Sequence, residues 1–228
     1  MKLLAFDTCF NKTYIALKND DEILGLKTFT NTDSGYHSAF LMPGIRDILK
    51  SCGLFIKDMD VIAVNTGPGS FTGVRACVSA ARVFAWQFNI KLIGVSSLMI
   101  LSKLNNKNLP SVTALDARKN KVYFAKYFQN KEIIPPCLID KDELISKLTG
   151  NEVIISDNSV CSFLEENNIS SVSFEDCNEN LALYLCDIAQ SMLKNNSDDF
   201  NWAKVKPLYL KKPSITVKKE ICNEKNGI

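Results

Sequence analysis

The sequence predicts an α/β chain of two mixed sheets flanked by helices, one sheet in each half. Three observations carry this. The chain opens with three short runs rich in β-branched and aromatic residues, separated by polar turns. From residue 38 helical and strand-like segments alternate. After a polar break, a hairpin begins a second set of strands and helices. Short turns favour antiparallel pairing and β-α units add parallel strands, so each sheet should be mixed.

The first strands are expected over 3–7, 13–18 and 22–30, with turns at Asn11-Lys12 and Asn19-Asp20-Asp21. A helix follows over 38–52, in which Pro43 loses one backbone hydrogen bond and bends the helix unless it lies in the first turn. A strand over 61–66, a helix over 72–88, a strand over 92–95 and a helix over 97–104 complete this half. Asn105-Asn106-Lys107-Asn108 marks the break, which divides the chain into 1–104 and 109–228. Beyond it, strands over 112–116 and 121–129 turn at Lys119-Asn120. A helix over 141–148, a strand over 152–156, a helix over 160–167, a strand over 171–174 and a helix over 181–194 follow.

Composition narrows the function. The 228 residues are 46% hydrophobic and 23% charged, enough to bury a sizeable core. A formal net charge of +2 demands neither nucleic acid, a membrane nor an acidic partner. The apolar run at 3–6 is far short of a signal-peptide core and no stretch approaches a membrane span, so a cytoplasmic protein is expected. Cys9, Cys52, Cys77, Cys137, Cys161, Cys177, Cys186 and Cys222 are scattered without a C-x-x-C pair, as buried thiols would be. His37 is the single histidine, which disfavours a zinc site and leaves any Ser-His-Asp triad resting on one residue.

The stretch between the strand at 61–66 and the helix at 72–88 reads Gly67-Pro68-Gly69-Ser70-Phe71-Thr72-Gly73-Val74-Arg75. Glycines at 67, 69 and 73 let the backbone approach whatever lies opposite. Ser70 or Thr72 can cap the helix, whose free N–H groups favour an anion. The standard fingerprints fail. Walker A needs Lys-Ser/Thr where Val74-Arg75 follows Gly73. G-x-G-x-x-G needs two residues, not three, before the third glycine. A nucleophile elbow needs glycine at Pro68 and Thr72. Two readings stay open: a tight strand-to-helix connection, or an anion-facing loop of no standard type.

The helices on either side of that strand carry more apolar surface than one sheet contact requires. The first holds Leu41, Met42, Ile45, Ile48 and Leu49; the second holds Val74, Val78, Ala81, Phe84 and Phe88, with Arg75, Arg82 and Trp86 elsewhere around it. Either these residues pack within the monomer or part of them meets another protein. The tail gathers Lys204, Lys206, Lys211, Lys212, Lys218 and Lys219 around Trp202 and Tyr209. Such a strip suits either RNA backbone or a solvated tail after Pro213, and the solvated tail is the expectation.

The nonapeptide resembles the signature of the TsaB (YeaZ) family, partner proteins of the machinery that makes threonylcarbamoyladenosine in tRNA. Leu3-Leu4-Ala5-Phe6-Asp7-Thr8, His37-Ser38, Leu41-Met42-Pro43, Gly94-Val95-Ser96-Ser97-Leu98, Ala114-Leu115-Asp116-Ala117-Arg118 and Pro207-Leu208-Tyr209-Leu210 extend the resemblance along nearly the whole chain. It implies an actin-like, ribonuclease H-like fold and a non-catalytic partner of TsaD, acting on tRNAs that read ANN codons. It further implies a homodimer when alone, pairing with TsaD through the first two helices, and recruitment of the ATPase TsaE. Candidate partner contacts are then Leu41, Met42, Ile45, Arg75, Arg82 and Trp86, with Gly67, Pro68, Gly69, Ser70, Thr72, Gly73 and Arg75 near the shared interface.

No cofactor is expected to bind this chain tightly, with ATP or ADP placed at the complex interface and tRNA reached through the complex. Asp7 and Thr8 stand where active superfamily members organise metal and nucleotide, but Thr8-Cys9-Phe10-Asn11 has no glycine for phosphate approach. TsaD carries a metal-binding His-x-x-x-His where this chain has Ser97 and Leu101, so neither a metal nor a catalytic residue is expected here. Ser156-Asp157-Asn158-Ser159 departs from a glycine-containing loop of the family. A small-molecule kinase or ATPase of the actin-like class is the alternative, and a peptidase a weaker one.

Overall fold

The computed structural model describes residues 1–30, 38–195 and 200–211. The first sheet holds β1 (Lys2–Asp7), β2 (Lys12–Asn19), β3 (Glu22–Thr30), β4 (Val61–Asn65) and β5 (Lys91–Val95) in the order β3-β2-β1-β4-β5. β1 pairs antiparallel with β2, with Ala5 opposite Ala16, and parallel with β4, with Ala5 opposite Ala63. Helices α1 (Ser38–Ser51), α2 (Phe71–Phe88) and α3 (Ser97–Ser102) connect its parts.

The second sheet repeats this plan. β6 (Ser111–Asp116), β7 (Lys121–Phe128), β8 (Lys131–Asp140), β9 (Val153–Ser156) and β10 (Val172–Ser173) lie in the order β8-β7-β6-β9-β10. Again three strands are antiparallel and two run parallel to the central one. Its helices are α4 (Lys141–Lys147), α5 (Asn158–Glu166) and α6 (Leu181–Lys194). The two mixed sheets flanked by helices predicted by the sequence are both present.

β8 is the strand that sequence reading missed. Pro135-Pro136 suppresses its signal, because proline cannot donate to a ladder. The structure accommodates both residues at the sheet edge, where the register steps from Phe124 opposite Cys137 to Lys126 opposite Ile134. Two prolines thus face Ala125 alone, as a β-bulge permits. Pro43 lies in the second turn of α1, not the first, so the helix continues past a missing N–H.

The period of two along β1 sets the layers. Leu4 and Phe6 point to one face, where they pack with Leu41, Ile45, Ile48, Cys77 and Ala81 of α1 and α2. Leu3 and Ala5 point to the other, where Leu185, Ile188 and Ala189 of α6 and Leu98 and Leu101 of α3 meet Leu115, Ala125 and Ile155 of the second sheet. On the far side of that sheet Val112, Ala114 and Phe124 pack against Leu144, Val160 and Leu164 of α4 and α5.

The turn expected to divide the chain, at 105–108, lies between α3 and β6. That turn separates the sheets but not their covering helices. α3, from the first half, packs on β6 and β7, whereas α6, from the second half, packs on β1 and β2. Residues 200–211 also return to the first half: Leu92 donates its N–H to Phe200 O at 3.1 Å, and Leu208 donates to Thr66 O at 2.8 Å. No helix among the described residues is long and apolar enough to cross a membrane. His37, Lys212, Lys218 and Lys219 lie outside the described residues, as does the tail after Pro213.

Candidate functional site

The ends of β1 and β4 and the starts of α2 and α3 converge on one buried polar cluster. Asp7 is fully buried; its carboxylate accepts the Cys9 N–H at 2.7 Å and an Asn65 Nδ2–H at 2.9 Å. Asn65 Oδ1 in turn accepts the Gly67 N–H at 2.8 Å and the Ser97 hydroxyl at 2.9 Å. Burial pushes the Asp7 carboxyl above its ordinary range, and the bonds from Asn65 and Cys9 hold it partly back. Ser97 also donates its backbone N–H to Gly67 O at 2.8 Å. One Asn thereby fixes a strand end, the glycine loop and a helix start relative to one another.

Ser97 and Leu101 both lie inside the protein. The Ser97 hydroxyl serves Asn65, and Leu101 is fully buried in the core. Ser97→Ala should remove one bond while leaving Asn65 Oδ1 its Gly67 partner, at a cost of about 1 kcal/mol. Urea denaturation at neutral pH checks this; an unchanged midpoint would mean that the hydroxyl holds nothing in place.

The loop glycines face the chain's own backbone. A Cβ at Gly73 would stand 1.9 Å from Thr8 O, and one at Gly69 would stand 2.5 Å from Cys9 O. Ser70 donates its N–H to Cys9 O at 2.8 Å, and the Thr8 hydroxyl donates to Gly73 O at 2.7 Å. The first turn of α2 is therefore seated directly on the end of β1. Of the two readings of the nonapeptide, the tight connection describes this contact. Ser70, not the exposed Thr72, is the cap, accepting the Gly73 N–H at 3.3 Å. Gly67 has φ +94° and precedes a cis peptide to Pro68. Asp7 and Thr8, expected beside a nucleotide, are instead fully buried beneath this turn.

Between the sheets lies a cleft of about 760 Å³, whose walls include Phe10, Asp116, Arg118, Asp157 and Glu175. Phe10 packs against Phe174 with ring centroids 4.8 Å apart, filling the turn after β1. Asp157 lies in the loop between β9 and α5. It caps α5 by accepting the Val160 N–H at 2.9 Å and also accepts the Asp116 N–H at 2.6 Å. Among the described residues no three His, Cys, Asp or Glu side chains are grouped as metal ligands.

The partner-contact candidates separate. Leu41 and Ile45 are buried in the chain's own core beneath the first sheet, which corrects their assignment to an exposed face. Met42 is 49% exposed and Trp86 63%, and Val83, which sequence reading missed, is 58% exposed. Helical spacing explains the split, since Met42 projects about 100° away from Leu41. Arg75 lies over the Phe71 ring at 4.0 Å and donates from Nε to the Tyr209 hydroxyl at 2.9 Å. Arg82 lies over the Trp202 ring at 5.4 Å. The segment 200–211 thus runs along α2 and past the glycine loop, ending where Lys211 Nζ donates to Ala117 O at 3.0 Å. The sequence signal for this strap was the apolar spacing of Trp202, Val205 and Leu208, in a stretch read as a lysine strip around Trp202 and Tyr209.

Comparison with known proteins gives a consistent set of relatives. A family model described as TsaD, tRNA N6-adenosine threonylcarbamoyltransferase, matches residues 31–212. The Escherichia coli (strain K12) tRNA threonylcarbamoyladenosine biosynthesis protein TsaB is 33% identical over 130 residues, which are 56% of this chain and 55% of that protein. This chain therefore spans little more than half the length of that relative. The Haemophilus influenzae protein of the same name is 28% identical over 96% of this chain and 97% of its own. The solved structure of YeaZ from Pseudomonas aeruginosa has the same fold, with a TM-score of 0.74 at 22% identity over 92% of this chain and 99% of that one.

Proposed function

The chain belongs to the protein family described by the TsaD model and, within it, to TsaB (YeaZ), and from that premise we propose that it is a non-catalytic partner of TsaD. The reaction served is formation of N6-threonylcarbamoyladenosine in tRNAs that read ANN codons. The observation that carries the partner reading is the outer face of α1 and α2. Met42, Val83 and Trp86 stand exposed there, on helices whose opposite faces are fully used in the core. Exposed aromatic and aliphatic side chains on adjacent helices are what a helical partner surface needs.

The non-catalytic reading rests on the polar cluster. Asp7, Asn65 and Ser97 are buried and bonded to one another, and the loop above them packs on the end of β1. These groups hold α2 in position; they offer no proton or nucleophile to a substrate. The contribution to the reaction is then a shift of population: binding favours the competent conformer of TsaD and adds no reacting group. TsaE joins the assembled pair, ATP or ADP sits at the complex interface, and tRNA is reached through the complex. Alone, the chain pairs with itself, and it works in the cytoplasm.

Light scattering on the purified chain, on TsaD of the same organism and on their mixture tests this. A mixture with the mass of a complex containing both chains is expected. Two unchanged species, together with ATP hydrolysis by this chain alone, would replace the partner reading by the actin-like ATPase alternative.

A further inference from the structure

An edge strand offers unpaired N–H and C=O groups to any strand that comes near, and three of the four sheet edges among the described residues are blunted against this. β10 is only two residues long, and β8 carries Pro135 and Pro136. β5 runs beside the strap 200–211, where Phe200 O takes the Leu92 N–H at 3.1 Å. β3 is different: it is nine residues long, holds no proline and pairs with β2 alone. Two of its apolar side chains, Ile23 and Leu26, stand 49% and 43% exposed.

The ladder fixes which way β3 faces. Asp20 donates its N–H to Met1 O at 2.9 Å, so by alternation Lys18 and Ala16 of β2 also turn their polar groups towards β1. Their partners across β3 are Ile23 and Leu26, which therefore turn theirs away from β2, to the open side. A bulge lies between the two: Lys18 is opposite Ile23, Leu17 is opposite Gly25, and the skipped Leu24 gives its carbonyl to Cys52 Sγ at 3.6 Å. The side chains of Ile23 and Leu26 share the α6 face with Lys18, which pairs with Asp187 of α6, and Ala16. Glu22 and Lys27 share the α1 face, where Lys27 Nζ lies 3.9 Å from Asp47.

We infer that β3 pairs antiparallel with β3 of a second copy of this chain, about a two-fold axis between Leu24 and Gly25. In that register Ile23 faces the partner's Leu26 and Leu26 faces the partner's Ile23, so that outward backbone groups meet outward backbone groups. The same register sets Glu22 opposite the partner's Lys27 and Lys27 opposite the partner's Glu22. Apolar side chains thus meet on the α6 face and opposite charges on the α1 face, both favourable cross-strand pairs. The bulge is what allows this, because without the extra Leu24 the outward positions would be an even number of residues apart and this register would not match. The outer faces of α1 and α2 stay uncovered. The inference rests on the self-pairing reading and gives it a surface separate from the one offered to TsaD.

Sedimentation velocity of the full chain over a range of concentrations tests this, with Leu26→Lys, Glu22→Lys, Lys27→Glu and the double reversal Glu22→Lys/Lys27→Glu. Thermal melting of each variant shows that it is folded; should Lys27→Glu melt early beside Asp47, Glu22→Lys and Leu26→Lys decide. Leu26→Lys, which puts a lysine into both apolar pairs, should weaken self-association at least about tenfold. Each single reversal sets like charges opposite one another twice and should weaken it about fivefold. The double reversal should restore it, and every variant should bind TsaD of the same organism as the natural chain does. A double reversal that stays as weak as the single ones overturns the register. If the single reversals and Leu26→Lys self-associate like the natural chain while Trp86→Ala does not, copies meet through α2, and the inference fails with self-pairing intact. If the natural chain is monomeric at its highest soluble concentration, self-pairing fails and the inference with it. If it is monomeric and Leu26→Lys loses TsaD, the edge receives a strand of TsaD instead, and the inference is overturned.

Discussion

Gly73→Ala is expected to destabilise the protein by about 3 kcal/mol or more, the upper end of what forcing one extra carbon into a packed site costs. Alanine would ordinarily favour a helix over glycine by about 1 kcal/mol. Here the added Cβ would meet Thr8 O at 1.9 Å and the carbonyl carbon of Thr8 at 2.9 Å. Both are backbone atoms, so no side chain can rotate away. The helix cannot slide freely either, because the Thr8 hydroxyl holds Gly73 O at 2.7 Å and Ser70 N–H holds Cys9 O at 2.8 Å. For a chain of this size the melting temperature should fall by roughly 6–12 °C. Thr72→Ala, one residue away on the exposed side, should change stability by no more than about 0.5 kcal/mol. An unchanged melting temperature for Gly73→Ala would mean that α2 can lift off β1, and that the nonapeptide is shaped for something other than this contact.

Trp86→Ala should leave the isolated chain as stable as before, because the side chain is 63% exposed and contributes little to the core. Its effect should appear on binding. Buried tryptophans at the centre of an interface typically account for 2 kcal/mol or more, so affinity for TsaD should fall by about 30-fold or more. Ile133→Ala is the fitting control: Ile133 is also well exposed, at 56%, but lies on β8 at the edge of the other sheet. Calorimetric titration of TsaD with each variant reads both. Equal affinity for Trp86→Ala and the natural chain would move the contact surface away from α2.

Much of the fold could be read because its signals are local. β1 to β3 are short, β-rich and punctuated by Asn and Asp turns, and α6 matches its expected span over 181–194 residue for residue. β8 could not be read, since Pro135 and Pro136 contradict a strand until the bulge opposite Ala125 is seen. The packing of α6 on β1 and β2 was also invisible, because it joins opposite ends of the chain.

The candidate site was legible in part. Gly69 and Gly73 announce a close backbone approach, but that the opposing backbone is residues 8 and 9 of the same chain depends on tertiary packing that no local pattern encodes. The candidate contacts on α1 were a mixed choice of face. Leu41 and Met42 are neighbours in sequence, and an error of one residue is enough to exchange core for surface. Asn65 was not singled out at all, although it joins Asp7, Gly67 and Ser97; a lone Asn at a strand end carries no sequence signal of that role.

The partner reading is tested most directly by a threonylcarbamoyl-transfer assay with threonylcarbamoyl-AMP as donor, tRNA, ATP and TsaE, comparing TsaD alone, this chain alone and the two together. Product only when both chains are present, lost with Trp86→Ala at concentrations near the dissociation constant, is the predicted result. Full transfer by TsaD without this chain, or transfer by this chain without TsaD, would contradict it.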